Sequence, residues 1–411
     1  MTGAPILGRD ARVISLIGTG HFLSHFYVLC LPTMFVIWQH GFNVSFADLG
    51  LSVALMSGTT ALLQTPVGFL VDRYGARPFL VGGTLLMSLS IAAMAAATAY
   101  WQILALSLLS GIGNSVIHPS DYAILAGSVD RNRMGRSFAL HTFSGNLGFA
   151  ASPPVTAFLT LLVGWRGTLA TVGLLGIPVV LLILWQSRIL TDQARSQETA
   201  RPRESRGRNA RGAGALLLTP TMLLFFGFFL LSAMATAGIT AWLITVLHQV
   251  QGMDLRIAST VLTGYMVGAT SGILVGGWVA DRTERHLGFT IVLTLLAAAL
   301  LLGAAALPLP ELAAIAIFFA AGLLIGASRT PRDVMVKNAS PPGQIGKVFG
   351  FVSAGLPLGQ ALTPVPFGFL IDAGRPDFVL VLVAVILLAS LFFVGSAKAT
   401  VKGEPLAAAA E

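Results

Sequence analysis

Long apolar runs, broken by short clusters of Gly, Pro and charged residues, set the rhythm of this chain. A helix crossing the ~30 Å hydrocarbon layer of a membrane needs about 20 mainly apolar residues. Runs of that length lie near 12–38, 47–71, 78–98, 102–126, 137–163 and 165–187, and again near 216–248, 256–280, 287–307, 311–335, 345–371 and 375–397. Transmembrane strands would instead read as segments of about ten residues with alternating polarity. The pattern predicts an all-α polytopic membrane protein with 12 transmembrane helices. Arg9 and Arg12 precede the first run as they would in a secretory signal. The run continues to Trp38 without a small-x-small cleavage site, so it is read as a retained span.

Composition strengthens that picture. Of 411 residues 55% are apolar and only 10% charged, with a mean hydropathy of +0.82; an ordinary soluble domain is ~25% charged. Cys30, the single cysteine, offers neither a disulfide nor a thiolate metal site. The net charge of +8 would suggest nucleic acid if it lay in one patch. It does not. With the N-terminus inside, 20 of the 25 Lys and Arg fall in cytoplasmic segments. Arg166, Arg256 and Arg375 fall outside, and Arg329 and Arg332 lie within a span. That bias places both termini in the cytoplasm, removes nucleic acid as a partner, and leaves membrane lipids as the neighbours of the basic segments. Arg outnumbers Lys 21 to 4, which points to a GC-rich bacterial genome and hence an inner, plasma membrane.

The stretch 188–215 is the one long polar segment, a cytoplasmic linker between an N-terminal six-helix bundle (1–187) and a C-terminal one (216–411). The two halves repeat. GFLVDRYG at 68–75 recurs as GGWVADRT at 276–283, pairing Gly68 with Gly277, Asp72 with Asp281 and Arg73 with Arg282 at an offset of 209. HPSD at 118–121 matches TPRD at 330–333 at offset 212, and GRSF at 135–138 matches GKVF at 346–349 at offset 211. Pro153 matches Pro364 at that same offset. Four matches in order at nearly one offset indicate two pseudo-symmetric six-helix bundles in parallel repeat, an arrangement that puts a substrate site at the repeat interface near the bilayer midplane.

Six plus six spans, a cytoplasmic middle linker and Gly-x-x-x-Asp-Arg after the second span of each half resemble the major facilitator superfamily of secondary transporters. The resemblance covers essentially the whole chain, and GFLVDRYGARPFL (68–80) is similar to the superfamily's signature loop. GHFLSHFYVL (20–29) and GNSVIHPSDYAIL (113–125) are similar to fosmidomycin-resistance-type efflux proteins. The resemblance implies a monomeric carrier that alternates access between its bundles and moves a small-molecule substrate, with an ion as coupling partner (the proton first) and no cofactor. Export of a drug or metabolite is the preferred direction; uptake of an organic anion, carboxylate or phosphonate, is the alternative, and a non-transporting membrane receptor a second one. The resemblance further implies a cytoplasmic gate built from Gly68, Asp72, Arg73, Gly75 and Arg77 with Asp121 at the end of span 4. Gly277, Asp281, Arg282 and Asp333 form a weaker copy. The first of two expected basic residues is Ala76, so Arg77 or Arg73 has to serve. Topogenic charge and interfacial anchoring remain the competing reading of these residues.

Polar groups deeper in spans are functional candidates because hydrocarbon penalises them. His21 and His25 are one helical turn apart and share a face; they line a wet cavity or bond to carbonyls of a neighbouring span. Arg329 places a permanent charge two-thirds of the way through an apolar helix. Guanidinium suits carboxylate, phosphonate or phosphate, and an ion pair with Asp333 on the same helical face is the alternative. Arg332 is expected to snorkel to the headgroups. Asn114, His118, His141, Asn146 and Gln360 complete the candidate cavity set, each with interhelical bonding as an equally open role. Gly264, Gly268, Gly272 and Gly276 form a smooth ridge for close packing or for sliding. With no Asp or Glu near the middle of any span, proton coupling would rest on the histidines or on Asp121 and Asp333. Walker, HExxH, GxSxG and paired-cysteine patterns are absent, and no enzymatic activity is expected.

Overall fold

A computed structural model describes residues 8–129, 134–191, 217–280, 282–340 and 345–403, and all regular structure among them is helical. Helices α1 (Arg9–Thr33) and α2 (Phe35–Phe42) make the first span; the break follows Pro32, which has no N–H to continue the ladder. A capping box opens α3 (Phe46–Tyr74): Ser45 Oγ accepts from Asp48 N–H at 3.0 Å while Asp48 Oδ2 accepts from Ser45 N–H at 3.2 Å. Gly75, at φ 90° and ψ 152°, turns α3 straight into α4 (Ala76–Met94) through a backbone region open to glycine alone. The fourth span is α5 (Tyr100–Ser115) and α6 (Ile117–Ser128), separated at Val116. The fifth and sixth share a continuous apolar stretch of 46 residues, Leu140–Trp185. About 20 residues cross the layer once, so this stretch crosses it twice, reversing at Gly164 (φ 69°) inside α7 (Met134–Leu174) and finishing in α8 (Gly176–Trp185).

The second half carries α9 (Pro220–Gln251), α10 (Leu255–Ala280), α11 (His286–Ala306), α12 (Glu311–Ala339), a span in three pieces, α13 (Ile345–Ser353), α14 (Gly355–Leu362) and α15 (Pro364–Asp372), and α16 (Asp377–Gly403). Among the described residues 11 helices are long and apolar enough to cross a membrane, and the double crossing of Leu140–Trp185 makes twelve spans. Exposed aromatics sit at span ends (Tyr74, Trp101, Trp185, Trp278), where interfacial rings belong.

The chain divides into two compact units, Met1–Arg201 with Asp254–Thr263, and Pro202–Met253 with Gly264–Glu411. In the first, α1 packs on α7, α4 on α5 and α7, and α3 on α5. In the second, α9 packs on α14 and α16, and α11 on α12 and α16. One end of its core is a phenylalanine-rich cluster around Phe225, Phe228, Phe229, Val336 and Val352. Most of the expected linker lies outside the described residues. Its first residues are attached to the first bundle: Thr191 N–H bonds to Ser128 Oγ at 2.8 Å, Thr191 Oγ1 donates to Gly127 O at 2.9 Å, and Arg77 Nε bonds to Leu190 O.

Candidate functional site

Each bundle encloses one polar centre. In the first, His21 and His25 project from the same face of α1, His118 and Asp121 from α6, and His141 from α7. His21 Nδ1 donates to the His141 carbonyl oxygen at 2.8 Å, and the two rings stack at 3.8 Å and 8°. His141 Nε2 in turn donates to Asp121 Oδ2 at 2.8 Å, with both residues buried. The His25 and His118 rings lie 4.3 and 5.0 Å from that of His21. Glycines make this approach possible: a Cβ at Gly145 would meet the rings of His21 and His25, and one at Gly148 would fall on the Phe22 carbonyl. Sequence spacing joined only His21 to His25; His118, Asp121 and His141 come from other helices.

In the second bundle Arg329, in the C-terminal half of α12, faces a cavity of about 140 Å³. Its wall carries Ser232 and Thr236 from α9, Thr294 from α11, Ser328 and Arg332 from α12, Gln360 from α14 and Ser390 from α16. The ion pair between Arg329 and Asp333, the alternative reading of Arg329, is not the one formed. Asp333 Oδ1 instead accepts from Arg332 Nε at 2.9 Å. Nor does Arg332 snorkel: it is 8% exposed, its guanidinium 3.9 Å from the Phe229 ring centroid. Pairing and stacking together hold Arg332 inward, which leaves Arg329 without an ion pair or hydrogen bond among the described residues. The hydroxyls of the wall were not anticipated; Ser232 and Thr236, one helical turn apart and so on one face of the span, are the signal that was there to read.

The profile of the Major Facilitator Superfamily matches this chain over residues 17–261 and 246–409. The chain belongs to the major facilitator superfamily. It is similar to the membrane sensor protein UhpC of Escherichia coli K12, 25% identical over 350 residues that cover 80% of this chain and 78% of UhpC. The fosmidomycin resistance protein of the same strain is 22% identical over 273 residues, 66% of each chain, in keeping with the resemblance noted in segments 20–29 and 113–125. A bacterial homologue of the human lysosomal transporter Spinster, solved inward-facing and occupied, superposes with a TM-score of 0.81 over 99% of this chain and 100% of that one at 15% identity, a likeness of fold. As a superfamily member the chain is a multi-pass membrane protein, and its relatives include proteins named as transporters of small solutes.

The superfamily's signature positions are placed unevenly. Gly68 and Gly277 have nothing within 4 Å of a built Cβ, and Gly75 makes the α3–α4 turn. Arg73 lies over the Tyr74 ring at 5.2 Å and Arg282 over Trp278 at 4.1 Å, both exposed at helix ends as interfacial anchors are. The Asp72 side chain and the whole of Asp281 lie outside the described residues. Arg77 binds the Leu190 carbonyl, and Asp121 is turned into the histidine centre, away from a partnership with Arg73 or Arg77. Asn114 Nδ2 donates to Thr60 Oγ1 at 3.2 Å, joining α5 to α3, and Asn146 Nδ2 donates within α7 to Thr142 O at 3.0 Å. Gln360 is the one amide of the candidate set that reaches the Arg329 cavity.

Proposed function

We propose that this protein is an ion-driven carrier of a small organic anion, a carboxylate or phosphonate, working by alternating access in a bacterial plasma membrane with both termini cytoplasmic. One observation carries the substrate class: Arg329 presents a guanidinium to a hydroxyl-lined cavity, while Arg332, the other cation of its lining among the described residues, is already paired with Asp333. The wall thus bears one uncompensated positive charge. An entering anion with two acceptor oxygens pairs with that charge by bidentate bonding. A cavity of about 150 Å³ holds a benzene-sized molecule, so 140 Å³ suits an acid of similar bulk. The asymmetry of Lys and Arg between the two sets of loops supports the topology. Likeness to the fosmidomycin resistance protein favours export.

The test is counterflow in proteoliposomes loaded with aromatic carboxylates, sugar acids or phosphonates, with a neutral and a cationic compound of equal size alongside. Saturable exchange is expected for an anion only. Charge-assisted hydrogen bonds are worth about 1.5–3 kcal/mol, so Arg329→Gln should raise the half-saturation concentration roughly 10- to 100-fold, with Arg329→Lys in between. Unchanged half-saturation in Arg329→Gln, or preference for the cation, would overturn the reading. Binding without counterflow would instead favour a sensor, the role that UhpC's name gives that relative.

A further inference from the structure

The histidine centre of the first bundle has a geometry that anion transport does not use. One ring nitrogen from each of His21, His25 and His118 lies within 4.8 Å of the other two. Hydrogen bonding decides which nitrogen His21 offers. A carbonyl oxygen only accepts, so the 2.8 Å contact with His141 O puts the proton of the neutral ring on Nδ1 and leaves a lone pair on Nε2. That Nε2 is buried without a hydrogen-bond partner, and so are His25 Nδ1 and His118 Nδ1. Buried polar atoms are rarely left unpaired. One cation accepting a lone pair from each converging ring would give the three imidazoles a common partner.

We propose that His21, His25 and His118 bind a single divalent transition-metal ion of the zinc class, with a fourth coordination position for water or an anionic ligand. Imidazole donors select Zn²⁺, Co²⁺, Ni²⁺ or Cu²⁺ over Mg²⁺ and Ca²⁺, which require oxygen. Tetrahedral coordination at ~2.0–2.1 Å sets ligand nitrogens about 3.4 Å apart. Rotation of His25 and His118, the two partly exposed rings, closes the remaining gap, whereas His21 is 2% exposed and held. The surroundings are those of a metal site. His21 donates its one N–H, on Nδ1, to a backbone carbonyl, the usual device for aiming a ligating imidazole. His141, stacked on His21, carries the buried carboxylate of Asp121 on its far nitrogen, and Phe149 packs on His25 with centroids 4.3 Å apart. The negative charge nearby compensates a cation bound by neutral ligands.

The experiment uses the full chain, purified through a tag free of histidine, stripped with chelator and titrated with Zn²⁺ by calorimetry and with Co²⁺ by visible absorption. One ion per chain is expected, with the intense absorption of tetrahedral Co²⁺ and a Zn²⁺-dependent rise in melting temperature. His25→Ala and His118→Ala should each weaken binding by about 10- to 100-fold or more. His118→Cys should restore it with a thiolate-to-Co²⁺ charge-transfer band, a spectroscopic change that a merely structural role for His118 would not produce. His248→Ala, whose imidazole bonds to Met253 O outside the cluster, should bind like the wild type. Absence of stoichiometric binding by the wild type overturns the proposal. So does equal affinity in the wild type and His25→Ala, or a His118→Cys protein that binds Co²⁺ without the thiolate band.

Discussion

Two neighbouring glycines in α10 should respond in opposite ways to the same substitution. Gly276 faces α12, where a Cβ would fall on the Ala327 carbonyl oxygen and stand 2.9 Å from Ala327 Cα. Gly277, one residue on, has nothing within 4 Å. The contact at Gly276 belongs to a series. Gly268 and Gly272 would strike Phe319 O and Leu323 O, while Gly322 and Gly326 of α12 would strike Tyr265 O and Ala269 O in return. Each obstacle is backbone, so no change of rotamer relieves it and the helices must part. Overpacking of this kind costs about 1–3 kcal/mol. At Gly277 the same change only replaces a poor helix former by the best one, a gain of up to about 1 kcal/mol. The difference between Gly276→Ala and Gly277→Ala is therefore about 2–4 kcal/mol. At roughly 2–4 °C per kcal/mol for a unit of this size, melting temperatures should separate by about 5–15 °C, read at one scan rate in one detergent. Ala327 lies two residues before Arg329, so the displacement in Gly276→Ala should also weaken anion binding. A Gly276→Ala protein that melts at or above Gly277→Ala would refute the interlocked-helix account.

Gly75→Ala should cost about 1–3 kcal/mol, because φ 90° with ψ 152° is strained for any residue with a Cβ; a melting temperature equal to wild type would show that the α3–α4 turn relaxes freely. Asp121→Ala and His141→Ala should each destabilise by about 1–3 kcal/mol, since each leaves a buried hydrogen-bonding partner unsatisfied. The double variant should cost clearly less than the two singles together, and strict additivity in that cycle would mean that the 2.8 Å contact carries no coupling.

The spans were legible because lipid imposes a length and forbids unpaired backbone, so every crossing had to be a helix of about 20 apolar residues. Even the reversal between the fifth and sixth spans, placed between 163 and 165, falls on Gly164, where positive φ turns the chain. Chemistry was legible only along one helix. A pair at i, i+4 can be read from spacing; His21 and His25 do meet, whereas the Arg329–Asp333 pair that spacing offered as one of two readings is not formed. Competition from another helix decided the second case: Phe229 of α9 holds the Arg332 guanidinium inward, where its Nε takes the carboxylate. The same limit hid Asp121 from its partner, since His141 lies on α7 and no periodicity links it to α6.

The internal repeat explains why the two polar centres differ. At the offset of 212, Asp121 corresponds to Asp333, yet His118 corresponds to Thr330 and Arg329 to Ile117. Duplication preserved a carboxylate at one level of the fourth and tenth spans. Its partner differs in kind and in place: an imidazole from the neighbouring helix α7 in the first bundle, and the guanidinium of the preceding residue in the second. Arg332, in taking Asp333, leaves the Arg329 charge to the cavity, while His141 bonds Asp121 through its ring and His21 through its backbone carbonyl. Backbone symmetry constrains where a polar group can stand in the bilayer, and the neighbour on the adjacent helix determines what that group can bind.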